Sequence, residues 1–186
     1  MKLSAFPRTL GKKSEINKIR REGDVPAVIY GRAQSVQTVF VKGDELQAIL
    51  RKLKSGLLAT TFFELYDGKN AMKVLVKDIQ YHPVSYAVLH LDFFNIDDKT
   101  PVTVNVPIQI AGLSECVGVK LGGFLRQVIR SLKVKCLSGN LPQEFTLDVT
   151  QLGLAQVMRL SDIVIPEGVQ PLGKMNEVAV VIAKKV

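Results

Sequence analysis

The sequence predicts a mainly β protein of the α+β class with two domains. Apolar runs with strand-like alternation recur along most of the 186 residues, and two segments in the first half carry apolar residues at helical spacing. A short polar segment that ends at Pro101 separates a basic first half from a second half of different composition. We therefore expect domains at residues 1–96 and 97–186.

The first predicted elements are a short strand and a basic helix. Residues 3–5 alternate between apolar and polar side chains and predict the strand. Ser14 can cap a helix in which Ile16 and Ile19 face inward. Gly23 stands where this helix is expected to end.

Two predicted strands, residues 25–30 and 36–41, lead into the clearest helix of the sequence. Asp44 is the expected cap of this helix, and leucines and an isoleucine follow it at the helical period. Gly56 stands where a left-handed residue is expected to end it. This helix is predicted to fill the core.

The rest of the first half is predicted to be β structure. Residues 60–66 and 71–80 form strands, and the Asp-Gly pair within residues 67–70 favours a hairpin turn between them. Residues 86–94 form a further strand. The first domain is therefore expected to be a mixed domain of several strands and two helices.

The second half is expected to be mostly β. Its predicted strands are residues 102–110, 128–137, 145–149 and 177–183. Pro107 lies within the first of these runs and is expected to make that strand an edge strand or to mark a bulge, because proline cannot donate a backbone hydrogen bond.

Composition excludes several classes of protein. Hydrophobic residues make up 47% and charged residues 23% of the chain, so disordered, collagen-like and coiled-coil proteins fit poorly. No apolar run is long enough to span a bilayer, and no secretory signal begins the chain, so we expect a cytoplasmic protein without membrane contact. The two cysteines are Cys116 and Cys136, and they are expected to be buried thiols in a reducing compartment.

Positive charge is concentrated at the start of the chain. The formal net charge is +8, and residues 1–96 carry 15 basic and 9 acidic side chains, against 10 and 8 in residues 97–186. Residues 1–32 alone carry eight basic and three acidic groups. Such a segment is either a solvated helix face or the contact for a polyanion, because a Lys or Arg set against a phosphate releases condensed counterions.

Residues that could carry catalysis are few. His90 and Asp92 are two residues apart and face the same side of a predicted strand, and His82 is the other histidine. No activated Ser or Cys and no set of three or four metal ligands accompanies them. The glycines at 118–123 match neither a P-loop nor a dinucleotide fingerprint. We therefore expect no catalytic residue, no metal site and no cofactor.

Several sequence blocks, taken in order, closely resemble one family. They are Arg8, the basic pairs at 12–13 and 20–21, VPAVIYG at 25–31, DIQYHP at 78–83 and LHLDF at 89–93. The family is the bacterial large-subunit ribosomal protein L-twenty-five family, whose two-domain members are also called general stress protein CTC. One-domain members end just after the last block, so residues from about 97 onward resemble the added domain of the long form.

The resemblance implies a small amino-terminal β-barrel with helices, followed by a mostly β carboxy-terminal domain. It implies a structural constituent of the large ribosomal subunit that binds 5S rRNA at an irregular internal loop called loop E, is monomeric in the ribosome and is not an enzyme. The second domain is then expected to contact a neighbouring ribosomal protein or 23S rRNA. The residues implied to bind RNA are Arg8, Lys13, Asn17, Lys18, Arg20, Tyr30, Gln80, His90 and Asp92.

Within this set, Lys13, Lys18 and Arg20 are expected to bind phosphates. Tyr30, His90 and Asp92 are expected to bond to base edges or 2′-hydroxyls. Asn17 stands where the family usually has an arginine, so it supplies hydrogen bonds without charge. Two alternatives stay open at this stage. One is a protein-binding or stress module that acts off the ribosome, and the other is an enzyme that uses His90 and Asp92 on a phosphate-bearing substrate.

Overall fold

A computed structural model describes residues 1–8, 13–31, 35–54, 56–66, 71–97 and 101–184, and the chain divides into two compact units, Met1–Thr100 and Pro101–Val186. Both units are rich in β structure, which confirms the predicted fold class. No helix in these described ranges is both long enough and apolar enough to cross a membrane. The elements of the first unit are β1 (Lys2–Pro7), α1 (Lys13–Arg21), β2 (Val25–Tyr30), β3 (Gln37–Val41), α2 (Gly43–Lys52), β4 (Phe62–Tyr66), β5 (Ala71–Tyr81) and β6 (Val88–Asn95).

The six strands of the first unit form a closed barrel in the order β1-β3-β2-β6-β5-β4, with β4 pairing back onto β1. The β1–β4 and β2–β6 pairs are parallel and the other pairs are antiparallel. Closure leaves no unpaired sheet edge for aggregation. It also gives the barrel a filled interior and an outer surface on which alternate residues of each strand are displayed.

The barrel interior is packed with aliphatic and aromatic side chains that alternate along the strands. Phe63 of β4 and Phe93 of β6 meet edge to face there, with ring centroids 6.5 Å apart. Leu46 of α2 is buried in the same cluster, and Ile49 and Leu50 pack against it. This helix therefore fills core, as its apolar period predicts.

Helix α1 ends in a Schellman motif, after which the chain enters β2. Gly23 adopts a left-handed φ of +86°, its N–H donates to the Arg20 carbonyl, and the Asp24 N–H donates to the Ile19 carbonyl. The helix itself packs on β2. Ile16 and Ile19 are its only half-buried side chains among the described residues, so the inward face predicted from their spacing is confirmed.

Helix α2 differs from its predicted ends. It begins at Gly43 with Lys42 as its N-cap, so Asp44 lies inside the first turn and does not cap the helix. Gly56 is left-handed, but it precedes a short 3₁₀ turn, Leu57–Thr60, and does not end α2, which stops at Lys52. The predicted turn at 67–70 lies outside the described residues.

The second unit contains a four-stranded sheet, β10-β7-β9-β12, and a three-stranded sheet, β11-β13-β8. Leu132, Val134 and Leu147 are among its buried residues. Its elements are β7 (Pro101–Ala111), α3 (Val117–Lys120), β8 (Gly123–Gln127), β9 (Ser131–Leu137), β10 (Phe145–Asp148), β11 (Val157–Arg159), β12 (Val169–Pro171) and β13 (Val178–Lys184).

Strand β7 is central in its sheet and pairs with β9 without a register shift up to Pro107, so the prediction that Pro107 makes it an edge strand or marks a bulge was wrong. Strand β9 pairs with β7 up to the Pro107–Ser131 pair, and β10 pairs with β7 only from Ile108 onward. Pro107 lies where one partner strand ends and the other begins, and its missing N–H is tolerated at this changeover.

Candidate nucleic-acid interface

Alternation along β2 and β6 turns the predicted RNA-binding side chains out of the barrel. Ile29, Leu91 and Phe93 are buried in the core, so their neighbours Tyr30, His90 and Asp92 lie on the outer surface. In the parallel β2–β6 pair, Tyr30 lies beside Phe94, and their rings meet edge to face with centroids 5.7 Å apart.

A β-bulge brings β5 onto the same surface. Val76 pairs with Phe93 but Asp78 pairs with Asp92, so Lys77 is the extra residue of the first bulge. Without that bulge, strict alternation from the buried Val76 would point Asp78 and Gln80 into the barrel. With it, Asp78 lies opposite Asp92 on the outer surface.

Gln80 lies opposite His90 on β6, so β5 supplies two polar side chains to this surface. We call this surface the polar face. Its members are Tyr30, Asp78, Gln80, His90 and Asp92.

The second bulge explains how Arg20 reaches the polar face. Gln80 pairs with His90 but Tyr81 pairs with Val88, so Leu89 is an extra residue on β6. Arg20 donates to the Leu89 carbonyl through Nε at 3.2 Å and Nη2 at 3.1 Å. The guanidinium thus fastens the end of α1 to the residue that precedes His90, and it keeps further N–H groups for another partner.

Arg8 lies at the other side of the same outer surface. Its N–H donates to the Thr38 carbonyl at 2.9 Å, the Thr38 hydroxyl donates to its carbonyl, and its Nε donates to the Val39 carbonyl at 3.1 Å. Thr38 pairs with Val28, and Val28 pairs with Asp92. Arg8 is therefore three strand spacings from Asp92, which corresponds to about 14 Å along the sheet.

Helix α1 separates its candidate residues onto two flanks. At about 100° per residue, Lys13, Asn17 and Arg20 share the flank that faces β6, whereas Lys18 lies on the opposite flank. Lys18 lines a cleft together with Arg8 and makes a long surface ion pair with Glu22 at 3.9 Å. The structure thus groups Lys13 and Asn17 with Arg20, and Lys18 with Arg8.

The pKa of the Tyr30 phenol is shifted by burial and by two carboxylates. Partial burial raises the pKa of the Tyr30 phenol, and the negative charges of Asp92 and Asp78 raise it further. The phenol therefore keeps its proton at neutral pH and remains a hydrogen-bond donor on the polar face.

His90 and Asp92 form the closest polar pair on this face. Nδ1 of His90 lies 2.9 Å from Oδ1 of Asp92, although the ring N–H is not aligned for a hydrogen bond. The two side chains are 20% and 34% exposed, so the carboxylate remains accessible to an external donor. The pair can present a carboxylate acceptor beside an imidazole.

Sequence reasoning missed Asp78 as a member of the face. Only the bulge at Lys77 brings it out, and no sequence signal marks that bulge. Within the described part of the chain, no three His, Cys, Asp or Glu side chains converge on a point that could hold a metal ion.

Comparison with known proteins assigns the family. The Ribosomal L25p family model matches residues 3–93, and the model of the ribosomal protein TL5 carboxy-terminal domain matches residues 101–185. The large ribosomal subunit protein bL25 of Chlamydia trachomatis serovar L2 is 46% identical, and those of Chlamydia muridarum and Chlamydia caviae are 45% and 42% identical. Each comparison covers all of this chain and all of the relative.

The chain belongs to the bL25 family of ribosomal proteins. The two matched regions make it a long, two-domain bL25 member, which confirms the family predicted from the sequence blocks. A bL25 protein is a structural constituent of the large ribosomal subunit, which is cytoplasmic in bacteria. Because this family is not enzymatic, the interpretation of His90 and Asp92 as catalytic groups is excluded.

Proposed function

We propose that the first domain, residues 1–96, binds 5S rRNA at loop E through the polar face and the cations beside it. The observation that carries this proposal is the anchoring of Arg20 on Leu89, next to His90. It sets a cation of the basic helix at the border of a surface of donors and acceptors. Membership of the bL25 family supports an RNA of the large subunit as the partner.

The chemistry of the polar face suits irregular RNA. The major groove of A-form RNA is too narrow for side chains, so proteins contact its wide, shallow minor groove and the exposed edges of irregular pairs. The outer surface of a rigid sheet matches such a groove. Arg20 and Lys13 are positioned to bind phosphates, and Tyr30 can donate to a base or a ribose oxygen.

The carboxylates of Asp78 and Asp92 favour a surface that recognises bases. Asp78 and Asp92 lie opposite each other, and phosphates would repel both. They are tolerated at an RNA interface where they accept hydrogen bonds from base amino groups or 2′-hydroxyls. The polar face therefore supplies specificity, and the flanking cations supply most of the affinity.

The second domain, residues 97–186, has a separate role in this proposal. It contacts a neighbouring ribosomal protein or 23S rRNA, while the first domain alone holds 5S rRNA. One copy of the chain suffices for this contact, because every group used in the proposed 5S contact comes from a single polypeptide.

Equilibrium binding of the full chain to 5S rRNA, measured over a range of salt concentrations, tests the proposal. We expect Arg20→Ala to weaken binding and to reduce the salt slope by about one unit, because one phosphate contact is lost. Arg51→Ala is the matched control, since Arg51 is an exposed cation near the end of α2 and is not part of the proposed surface. Equal effects of the two substitutions would contradict the proposal.

Substitutions on the polar face test readout separately. His90→Ala and Asp92→Ala should each cost about 1–3 kcal/mol of binding to 5S rRNA, because each removes a contact to a base edge or ribose. Binding to a regular RNA hairpin of similar length should change little. If both RNAs lose the same affinity, the polar face does not read loop E.

A further inference from the structure

The turn between β5 and β6 displays an aromatic side chain in an unusual backbone conformation. Tyr86 has a φ of +56°, and the only other described non-glycine residue with positive φ is Ala155. The Tyr86 side chain is 77% exposed. A bulky residue rarely adopts this conformation, and such strain persists only where the surrounding structure holds it.

His82 holds the turn. Its Nδ1 accepts hydrogen bonds from the backbone N–H groups of Val84 at 3.3 Å and Ser85 at 3.2 Å. The backbone N–H of His82 donates to the Ala87 carbonyl at 2.8 Å, and the backbone carbonyl of His82 accepts from the Tyr86 N–H at 2.9 Å. Four hydrogen bonds to one residue therefore fix the backbone of the turn, and with it the point from which the Tyr86 side chain projects, before any partner arrives.

The turn lies beside the proposed RNA surface. The strands that lead into it carry Gln80 and His90, which face each other on the polar face. Tyr86 also lines a cleft of about 450 Å³ together with Arg20. Leu50 and Val88 line the same cleft and give it an apolar part. This volume falls within the range of about 300–1,000 Å³ that is typical of small-molecule sites.

We propose that Tyr86 is a stacking platform for an unpaired nucleobase of the bound RNA, which enters this cleft while Arg20 holds a neighbouring phosphate. This inference rests on the proposed function and adds a contact to it. An exposed aromatic ring on a rigid turn, beside a cleft that a cation also lines, is a combination suited to binding an unstacked base. Residues 83–87 carry no charge, so this contact adds stacking without an additional phosphate contact.

Tyr86→Gly separates a binding role from a structural one. Glycine adopts positive φ freely, so this variant should melt at a higher temperature than the native chain. Loss of the ring should nevertheless weaken binding to 5S rRNA about tenfold, with an unchanged salt slope because stacking releases no counterions. Tyr86→Phe keeps the ring and should bind as the native chain does. Ala155→Gly is the matched control, since it relieves the same kind of strain in the second unit and should leave binding unchanged.

The possible outcomes distinguish this inference from the proposed function. Unchanged affinity in Tyr86→Gly, alongside weakened binding in Arg20→Ala, would overturn the stacking role and leave the proposed function intact. A reduced salt slope in Tyr86→Gly would also overturn it, because the ring would then act through charge placement. If Tyr86→Gly binds 5S rRNA normally but fails to join the large subunit, the ring contacts another component of the subunit and not a base of 5S rRNA, which would also overturn the inference. Failure of the native chain to bind 5S rRNA would overturn both proposals.

Discussion

At the scale of single residues, the polar face combines groups that oppose one another electrostatically. Asp78 and Asp92 lie side by side on neighbouring strands, and both act on the phenol of Tyr30. An exposed pair of like charges is unfavourable in the free protein, although water screens it. Donors on a bound RNA relieve this repulsion, so the arrangement favours a partner that supplies amino or hydroxyl groups.

Titration of Tyr30 tests the geometry of this face. Its pKa is raised by burial and by Asp92, so Asp92→Asn should lower the pKa while burial keeps it above the usual value of about 10. The folded chain holds the phenol proton more tightly than the unfolded chain does. The raised pKa therefore adds to the free energy of unfolding below pH ~10, and this contribution is lost as the pH rises through the pKa of Tyr30 in the folded chain.

The ultraviolet absorbance of tyrosinate, taken as the difference between each chain and its Tyr30→Phe variant, measures this pKa. Asp44→Asn removes the same charge from the exposed start of α2 and should leave the pKa unchanged. An unaltered titration in Asp92→Asn would show that Tyr30 and Asp92 are not neighbours in solution.

At the scale of secondary-structure elements, the position of the basic helix depends on a close contact between backbones. The Asp24 carboxylate bonds Lys42 Nζ at 2.9 Å and accepts from the Gly43 N–H at 3.4 Å. A Cβ on Gly43 would lie 1.8 Å from the Gly23 carbonyl oxygen, so only glycine fits there. The start of α2 thereby fixes the end of α1, which carries Arg20.

Gly43→Ala should therefore destabilise the first unit by about 3 kcal/mol, because the backbone at Gly23 must move. Gly23→Ala is the matched comparison. Its Cβ meets nothing within 4 Å, so only its left-handed φ of +86° is penalised, by about 1 kcal/mol. Denaturant midpoints at constant slope measure both values. A smaller loss in Gly43→Ala than in Gly23→Ala would be inconsistent with this packing.

Much of the element order was predictable from the sequence, because alternation and helical spacing report directly on burial. The strands around Ala5, Ile29 and Phe93 and both long helices follow from their apolar patterns. The site itself was less predictable. The bulge at Lys77 determines which β5 side chains face outward, and the bulge at Leu89 determines which carbonyl accepts from Arg20. Both bulges depend on pairing between strands rather than on local sequence.

At the scale of the whole molecule, each unit has buried core residues of its own, and both cysteines of the chain lie in the second unit. Leu91 lies in the barrel core of the first unit, and Leu132 is buried in the second. Cys116 and Cys136 are the only cysteines of the chain, and both are buried in the second unit. Cys116 and Cys136 are almost fully covered, so their reaction with a thiol reagent requires the second unit to open, and burial also raises the pKa of the Cys136 thiol.

Thiol labelling of the native chain can therefore test whether the units open independently. Leu132→Ala should accelerate labelling by at least about tenfold, because a cavity of this kind costs roughly 2–5 kcal/mol. Leu91→Ala should leave the labelling rate unchanged while it lowers the stability of the barrel by a similar amount. Equal acceleration by both substitutions would mean that the chain opens as one cooperative unit.

Hydroxyl-radical footprinting of the full chain with and without 5S rRNA tests the location of the RNA contact most directly. Tyr66 provides an internal control, because β4 is three strands away from β2 in the six-stranded barrel and this side chain is 51% exposed. We predict that bound RNA lowers the oxidation of Tyr30 and His90 and leaves that of Tyr66 unchanged. Protection of Tyr66 with continued oxidation of Tyr30 and His90 would contradict the proposed RNA-binding surface.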